Sequence, residues 1–257
     1  MADLVNELEG KVAIVTGSAR NIGRATAEEL ARAGAVLVIN SVQAKDLCEE
    51  VAEGIRAAGG KAIPFLADVR DPERVSAMVE AATREFGGVD IMVHNAAVRN
   101  NTPFEEMTLE TFSTTVDISI YGMFHLAKAV LPSMKERGGG SIVGVGGMSS
   151  TRGAKTRSHT MAAKMGLNAF VRGLALDLAP FGIRANQVVV GTYDTVRENN
   201  PSSAPRAALN LSANNIPLGR LGAPQDMADL IRFVVGPAAS YITGQTIHSN
   251  GGAYMAL

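Results

Sequence analysis

The sequence lacks several residue types that would point to particular classes of protein. It has no tryptophan, 5% aromatic residues and one cysteine among 257 residues. The single cysteine, Cys48, excludes a disulfide within the chain and favours a reducing compartment. No apolar run approaches the roughly 20 residues that a membrane helix needs, and residues 1–10 do not resemble a signal peptide. We therefore expect a cytoplasmic protein.

The charge is balanced, and it favours neither a nucleic acid nor a membrane surface as a partner. There are 25 acidic and 24 basic residues, so the net charge is −1. Acids and bases are interspersed along the chain, which leaves no strip of one sign for a polyanion to bind. The four histidines and the lone cysteine share no metal-ligand spacing, so no metal site is predicted.

Short apolar runs alternate with helical patterns along the whole chain, and 46% of the residues are hydrophobic. Apolar runs without internal alternation are typical of parallel strands that helices cover on both faces. The sequence predicts an α/β fold with one domain over residues 1–257 and a polar, weakly periodic lid at about 192–217. The predicted strands are 11–16, 35–39, 61–66, 89–93, 141–145, 183–189 and 246–248. The predicted helices are 24–33, 44–58, 72–86, 109–135, 158–179 and 224–235.

The first strand ends in a glycine-rich turn, Gly17-Ser-Ala-Arg-Asn-Ile-Gly23, and a helical pattern follows it. In this context the amides at the helix N-terminus present partial positive charge to a phosphate. Asn21 stands inside the turn, and asparagine tolerates the left-handed conformation better than other non-glycine residues. The turn is predicted to bind a dinucleotide.

Six segments resemble the classical short-chain dehydrogenase/reductase family in order and spacing, over essentially the whole chain. They are TGSARNIG (16–23), ADV (67–69), HNAA (94–97), GIRANQVVVG (182–191), PLGRLGAPQDMA (217–228) and YITGQTIHSNGGAYM (241–255). The resemblance implies a single-domain Rossmann-type, doubly wound parallel sheet. It also implies a nicotinamide cofactor at the carboxyl ends of the strands, a small-molecule substrate and a homotetramer.

The resemblance also implies which residues bind the cofactor. Asp68 and Val69 would frame the adenine, and Lys164 would bond the nicotinamide ribose. The second strand ends in Asn40-Ser41 without a carboxylate, while Arg20 adds a base to the glycine turn, so NADP(H) is favoured over NAD(H). The full implied set is Gly17, Ser18, Arg20, Asn21, Ile22, Gly23, Asn40, Ser41, Asp68, Val69, Asn95, Ala96, Lys164, Gly191, Tyr193 and Thr195.

The catalytic positions depart from the family pattern. The family uses a tyrosine four residues before the lysine, a serine thirteen residues before that tyrosine, and an asparagine on the preceding long helix. Lys164 is present, but the other positions hold Thr160, Gly147 and Ser119. A threonine alcohol is a much weaker acid than a phenol of pKa about 10. Since a positioned acid contributes roughly 10²–10⁴-fold, we expect the standard carbonyl reduction to be impaired.

Three groups of residues are possible substitutes for the missing side chains. Ser149 and Ser150 follow Gly147, either as a replacement hydroxyl or as loop caps. His159 has suitable acidity. However, one residue along a helix is rotated by about 100°, and the alternative is a surface histidine at the helix start. Tyr193 either reaches in from the lid or packs beneath it.

The remaining charged and aromatic residues leave the function open. Lys155, Arg152 and Arg157 crowd the loop that walls the family's substrate pocket, so either the substrate is anionic or these are solvated charges. His94, His125 and Tyr121 are predicted to be structural. Three functions fit: a divergent NAD(P)(H)-dependent oxidoreductase acting on a carbonyl or alcohol; a cofactor-binding homologue without redox turnover, as a sensor or inactive oligomer partner; or nonredox, lyase-type chemistry using Lys164.

Overall fold

The computed structural model describes residues 6–195 and 213–255, and these contain one seven-stranded parallel sheet. The strand order is β3-β2-β1-β4-β5-β6-β7. The order reverses between β1 and β4, and ligands of such sheets bind outside the strand ends at that point. The α/β, doubly wound prediction is confirmed. The strands are β1 (Val12–Val15), β2 (Val36–Ser41), β3 (Ala62–Leu66), β4 (Ile91–His94), β5 (Gly140–Gly147), β6 (Ile183–Val190) and β7 (Thr246–Ser249).

Helices cover both faces of the sheet, as the unalternating apolar strands require. They are α1 (Asn21–Arg32), α2 (Lys45–Ala57), α3 (Pro72–Phe86), α4 (Leu109–Val116), α5 (Gly122–Glu136), α6 (Ser149–Arg152), α7 (Ser158–Leu178) and α8 (Pro224–Val235). One buried cluster joins the sheet to α1, α2 and α8, and the other joins it to α3, α5 and α7. Two aliphatic layers therefore hold the sheet rigid beneath its carboxyl edge.

The predicted long helix over 109–135 is present as a continuous helical segment, but a π-helical turn at Asp117–Tyr121 separates α4 from α5. The carbonyl of Ile118 lies 2.9 Å from Nε2 of the buried His94, which binds the turn to the end of β4. A π turn of this kind often marks a functional site. It contains Ser119, which is buried at the family's asparagine position.

Other boundaries differ by a few residues. The first helix begins at Asn21 rather than Arg24. The fifth strand continues to Gly147, since that residue still pairs with Val190 of β6. The predicted loop after it contains α6. Most of the predicted lid, residues 196–212, lies outside the described residues. Within residues 6–195 and 213–255, no helix is long and apolar enough to cross a membrane.

Candidate active site

The glycine turn has the strained backbone that phosphate binding requires. Gly17 has φ 64°, and Asn21 adopts the left-handed conformation that the sequence predicted, with φ 50°. A Cβ on Gly23 would lie 2.6 Å from Nδ2 of Asn95 and would also collide with the carbonyl of Gly17. Only glycine lets α1 approach the turn this closely.

Thr16 and Asn95 tie the turn to the end of β4. Nδ2 of Asn95 donates to the carbonyls of Thr16 and Gly17 at 3.0 and 3.1 Å. Oγ1 of Thr16 accepts from the backbone amides of Asn95 and Ala96, both at 3.1 Å. The Asn95 side chain thus stabilises the backbone of the turn. Thr16 is not among the residues that the sequence predicted for the site, although its place as the last residue before Gly17 is a usable signal.

Ser18 and Asn40, both expected at the cofactor, are buried and hold the turn in place. Oγ of Ser18 donates to the carbonyl of Val15 at 2.7 Å and accepts from the amide of Asn40 at 2.9 Å. Oδ1 of Asn40 accepts from the amide of Gly17 at 3.3 Å, and its Nδ2 donates to the carbonyl of Ala67 at 3.0 Å. The side chains of Ser18 and Asn40 therefore fix the backbone of the turn. Ile22 is likewise buried in the core.

Asp68 is paired at the edge of the expected adenine pocket. Its carboxylate accepts from Nη2 of Arg70 at 2.6 Å, and this hydrogen bond holds the pKa of Asp68 below its usual range. Val69 beside it is buried. Oγ of Ser41 accepts from the amide of Ala44 at 2.9 Å. Arg20 is exposed at the start of α1, where its charge can meet a ligand phosphate.

The far side of the expected cofactor groove is formed by the segment after β6. The amide of Gly191 donates to the carbonyl of Ser249 at 3.0 Å. A Cβ on Gly191 would lie 2.6 Å from the Cα of Asn250, so the close approach requires glycine. Thr195 is half-buried and is the last described residue of this segment.

Lys164 lies at the base of the site. Its side chain is 8% exposed, and Nζ donates to the carbonyl of Val145 on β5 at 2.8 Å. Burial, together with a smaller contribution from the positive charge of Arg99, lowers its pKa to about 8. An ammonium has three N–H groups, so the bond to Val145 leaves two for a ligand.

The geometry near the substituted family positions separates Ser149 from Ser150. A Cβ on Gly147 would meet nothing nearer than Oγ of Ser149, at 3.9 Å. Ser150 instead donates its hydroxyl to the carbonyl of Gly147 at 2.7 Å, which is a capping bond. Thr160 stands one turn before Lys164, and its Oγ1 is buried without a hydrogen-bond partner. Ser149 therefore carries the hydroxyl nearest the empty serine position.

His159 is not the surface histidine that its position at the helix start suggested. It is fully buried, because the loop after β4 packs over the start of α7. Neither ring nitrogen has a hydrogen-bond partner in the described structure. Burial lowers its pKa, which the charge of Arg157 also lowers, while the backbone of Asn100 raises it. The ring is therefore neutral near pH 7.

Tyr193 is buried in the core cluster that joins the sheet to α1, α2 and α8. Its hydroxyl lies 2.6 Å from Oγ of Ser249. A Cβ on Gly222 would lie 2.7 Å from its ring, so the glycine makes room for it. Burial raises the pKa of Tyr193. A phenol held in this way is a weaker acid than a free one, and its geometry does not favour a proton-donating role.

His94 is fully buried and links the glycine turn to the π turn. Because the Ile118 carbonyl only accepts, Nε2 of His94 carries the hydrogen, and Nδ1 accepts from Oγ1 of Thr16 at 3.3 Å. Burial lowers its pKa to about 3, so the ring is neutral at physiological pH. Nδ1 of His125 bonds to the carbonyl of Val69 at 3.0 Å. Both histidines have structural roles, as predicted, whereas Tyr121 is 55% exposed.

Arg99 is a charged residue near Lys164 that sequence analysis missed. It lies five residues beyond the end of β4 and is exposed. Its charge acts on the pKa of the buried Lys164. A signal was present, since Arg99 follows the carboxyl end of a strand at the edge where the other site residues gather.

Known proteins resemble this chain over nearly its whole length. A family model described as enoyl-(acyl carrier protein) reductase matches residues 17–254. A 3-oxoacyl-[acyl-carrier-protein] reductase of Vibrio cholerae is 36% identical over 248 residues, covering 96% of this chain and 99% of the relative. A short-chain dehydrogenase/reductase structure from Brucella melitensis superposes with TM-score 0.86 and 31% identity, covering 97% and 99% of the two chains. The chain belongs to the short-chain dehydrogenase/reductase family. It is therefore a Rossmann-type, nucleotide-binding member of an oxidoreductase family.

A further structure shows the same fold with ligands. A 7α-hydroxysteroid dehydrogenase, solved with NADH and 7-oxoglycochenodeoxycholic acid, superposes with TM-score 0.91 at 31% identity and covers 98% of both chains. The enzyme of Escherichia coli with the same name as the Vibrio relative is 35% identical over 247 residues, covering 96% of this chain and 98% of its own. These similarities confirm the family and the fold that the six segments predicted.

Proposed function

We propose that this family member is an NADP(H)-dependent oxidoreductase that interconverts a carbonyl and an alcohol on a small molecule, with Lys164 as the proton donor. The observation that carries the proposal is a buried lysine with a pKa of about 8 at the family's lysine position. The residues present fit a dinucleotide, because Gly17 and Asn21 give the turn before α1 its left-handed backbone and Arg20 is exposed at the start of that helix. When bound, a nicotinamide cofactor supplies the hydride.

The chain's own groups complete the reaction as follows. In reduction, one N–H bond of the Lys164 ammonium breaks and its proton forms an O–H bond with the substrate oxygen as the carbon gains the hydride. The Ser149 hydroxyl donates a hydrogen bond to that oxygen from beside Gly147. The lysine then regains a proton from solvent. A pKa of about 8 makes this lysine a better acid than an ordinary one near 10.4.

The preference for NADP(H) is supported by the residues near the expected adenosine ribose. Arg20 is exposed at the start of α1. The second strand ends in Asn40 and Ser41, so no carboxylate there repels a 2′-phosphate. The hydroxysteroid dehydrogenase was solved with NADH. In contrast to that enzyme, the residues of this chain favour the phosphorylated cofactor, NADP(H).

We also propose a cytoplasmic homotetramer. The support for assembly is a run of exposed apolar side chains on α4, the π turn, α5 and α7, and such patches mark interaction surfaces. They are Leu109, Phe112, Tyr121, Phe124 and Met165, from 37% to 80% exposed. The lone buried Cys48 supports a reducing compartment. Light scattering on the purified protein should give four times the chain mass, and a monomer would contradict this.

The test separates the three functions with one protein preparation. NADPH binding is followed by fluorescence, and NADPH oxidation is then measured across a panel of aldehydes and ketones. Lys164→Ala should lower the reduction rate by roughly 10²–10⁴-fold, whereas Lys128→Ala, an exposed lysine on α5, should not. Reduction should fall as pH rises through about 8, and alcohol oxidation should rise, because the donor is the ammonium.

Other outcomes assign the alternatives. NADPH binding without oxidation across the panel would indicate a cofactor-binding protein, because the cofactor site would then bind its ligand without any redox reaction. Conversion of a substrate without any change in NADPH would indicate lyase-type chemistry.

A further inference from the structure

Two loops form one wall on the substrate side of the site. The first follows β4 (residues 95–103) and the second joins α6 to α7 (residues 153–157). The amide of Thr102 donates to the carbonyl of Thr156 at 2.8 Å. Nε of Arg157 donates to Oδ1 of Asn101 at 2.7 Å. These two bonds hold the loops together directly before the helix that carries Lys164.

The wall carries charge of one sign. The two loops, together with α6 that precedes the second one, contain four basic side chains and no acidic one. The basic residues are Arg99, Arg152, Lys155 and Arg157. The nearest following acids along the first loop, Glu105 and Glu106, lie on an exposed 3-10 turn beyond it. A ligand that reaches Lys164 along this wall therefore meets positive charge from both loops.

Arg99 acts most directly on the reacting group. Its positive charge lowers the pKa of the buried Lys164, and the loop that carries it is bonded through Thr102 to Thr156, directly before α7. Two cations held close together repel each other. An anion between them removes that repulsion and gains from both charges.

Resting on the oxidoreductase proposed above, we infer that the substrate is a small oxo acid whose carboxylate binds Arg99 on this wall while its carbonyl oxygen meets Lys164. The planar fork of a guanidinium matches the two oxygens of a carboxylate. One molecule then contacts both cations, with its carboxylate at Arg99 and its carbonyl oxygen at Lys164. Arg157 and Lys155 add attraction from the second loop, and Arg99 selects the substrate without taking part in proton transfer.

The experiment compares acids with neutral molecules of the same skeleton. Initial rates of NADPH oxidation are measured with 3-oxobutanoate and 5-oxohexanoate, and with the amide of each. The variants are Arg99→Gln, Arg99→Lys and the control Arg84→Gln, an exposed arginine on α3 that is paired with Glu85. Losing the charge of Arg99 also shifts the pH dependence of Lys164, but that shift affects an acid and its amide alike. The ratio of kcat/KM for acid over amide therefore isolates the carboxylate contact.

In the wild type we expect at least one acid to exceed its amide by roughly tenfold to a hundredfold, the value of a hydrogen bond to a charged group. Arg99→Gln should abolish the preference, Arg99→Lys should restore part of it, and Arg84→Gln should leave it intact. Amides reduced as well as the acids, or a preference that survives Arg99→Gln, would overturn the inference and leave the oxidoreductase standing.

Binding data separate this inference from the oxidoreductase. If either acid alters NADPH fluorescence in the wild type but not in Arg99→Gln, and no NADPH is oxidised, the anion site stands and the oxidoreductase falls. If neither acid binds or reacts, the inference is wrong.

Discussion

The two halves of the site differ in how completely their polar groups are bonded. Around the glycine turn, the side chains of Thr16, Asn40 and Asn95 all make hydrogen bonds to neighbouring backbone. At the start of α7, by contrast, buried polar side-chain atoms lack hydrogen-bond partners in the described residues. Of the five buried side-chain nitrogen and oxygen atoms without a partner in the described residues, three belong to His159 and Thr160.

The difference shows which part of a site tolerates replacement. In the glycine-turn half, side chains hold the backbone, so a change there alters the shape of the turn. In the α7 half, Gly147 still ends β5 and Thr160 still lies in the first turn of α7. Neither residue has the side chain that the family uses for catalysis at its position. A buried polar group without a partner costs about 1–3 kcal/mol, and such groups concentrate where a ligand or a reaction uses them.

The largest expected effect comes from restoring the family side chains to the α7 half. In Gly147→Ser/Thr160→Tyr, a phenol beside Lys164 regains a lowered pKa, and the serine regains its contact with the substrate oxygen. The space in front of Gly147 is open, since the nearest atom to a Cβ there is 3.9 Å away. NADPH oxidation with a simple ketone should rise by about 10²-fold or more.

The two single variants are the controls for this gain. Thr160→Tyr alone should recover part of the activity, and Gly147→Ser alone should recover little without an acid. A double variant that folds, binds NADPH and gains no activity would show that the two halves are no longer aligned for hydride transfer.

The second prediction concerns acid stability through His94, which links the glycine turn to the π turn. In the folded protein its pKa is about 3, against 6.5 for a free histidine. Between these values the unfolded histidine binds a proton that the folded one does not, so stability is full above about pH 6.5 and falls as the pH drops toward 3. The loss is up to about 1.4 kcal/mol per pH unit.

Urea unfolding at several pH values, in the wild type and in His94→Asn, isolates this group from the carboxylates that titrate in the same range. The variant should lose less stability on acidification. Parallel curves for the two proteins would remove His94 as the cause.

A smaller effect is expected from adding one methyl group to the glycine turn. Gly23→Ala places a Cβ against the carbonyl of Gly17 and 2.6 Å from Asn95. Overpacking of this kind costs about 1–3 kcal/mol and should also weaken NADPH binding. The control is Gly54→Ala in α2, where a Cβ meets no atom within 4 Å. That change should stabilise the helix by roughly 0.5–1 kcal/mol, and equal effects at the two glycines would contradict the packing argument.

The sequence predicted the backbone of the site better than its contacts. Apolar runs and glycine turns report local backbone preference, so the strands and the left-handed Asn21 could be anticipated. The π turn could not, because it depends on a bond between His94 and Ile118 that joins distant segments. The burial of His159 and the approach of Arg99 to Lys164 also arise from packing of the loop after β4, which leaves no periodic pattern in the chain.

The smallest expected effect tests whether the glycine-turn half also selects the cofactor. Arg20→Ala should weaken NADPH binding by about tenfold, the value of one exposed charge-assisted hydrogen bond, and should leave NADH binding unchanged. Arg24→Ala is the matched control, since Arg24 lies on the same helix but is paired with Glu28 and Glu50. Fluorescence titrations of each protein with both cofactors provide the measurement. An equal loss for NADPH and NADH would mean that Arg20 supports the turn rather than binding the 2′-phosphate. The two halves of the site would then differ only in how completely their polar groups are hydrogen-bonded.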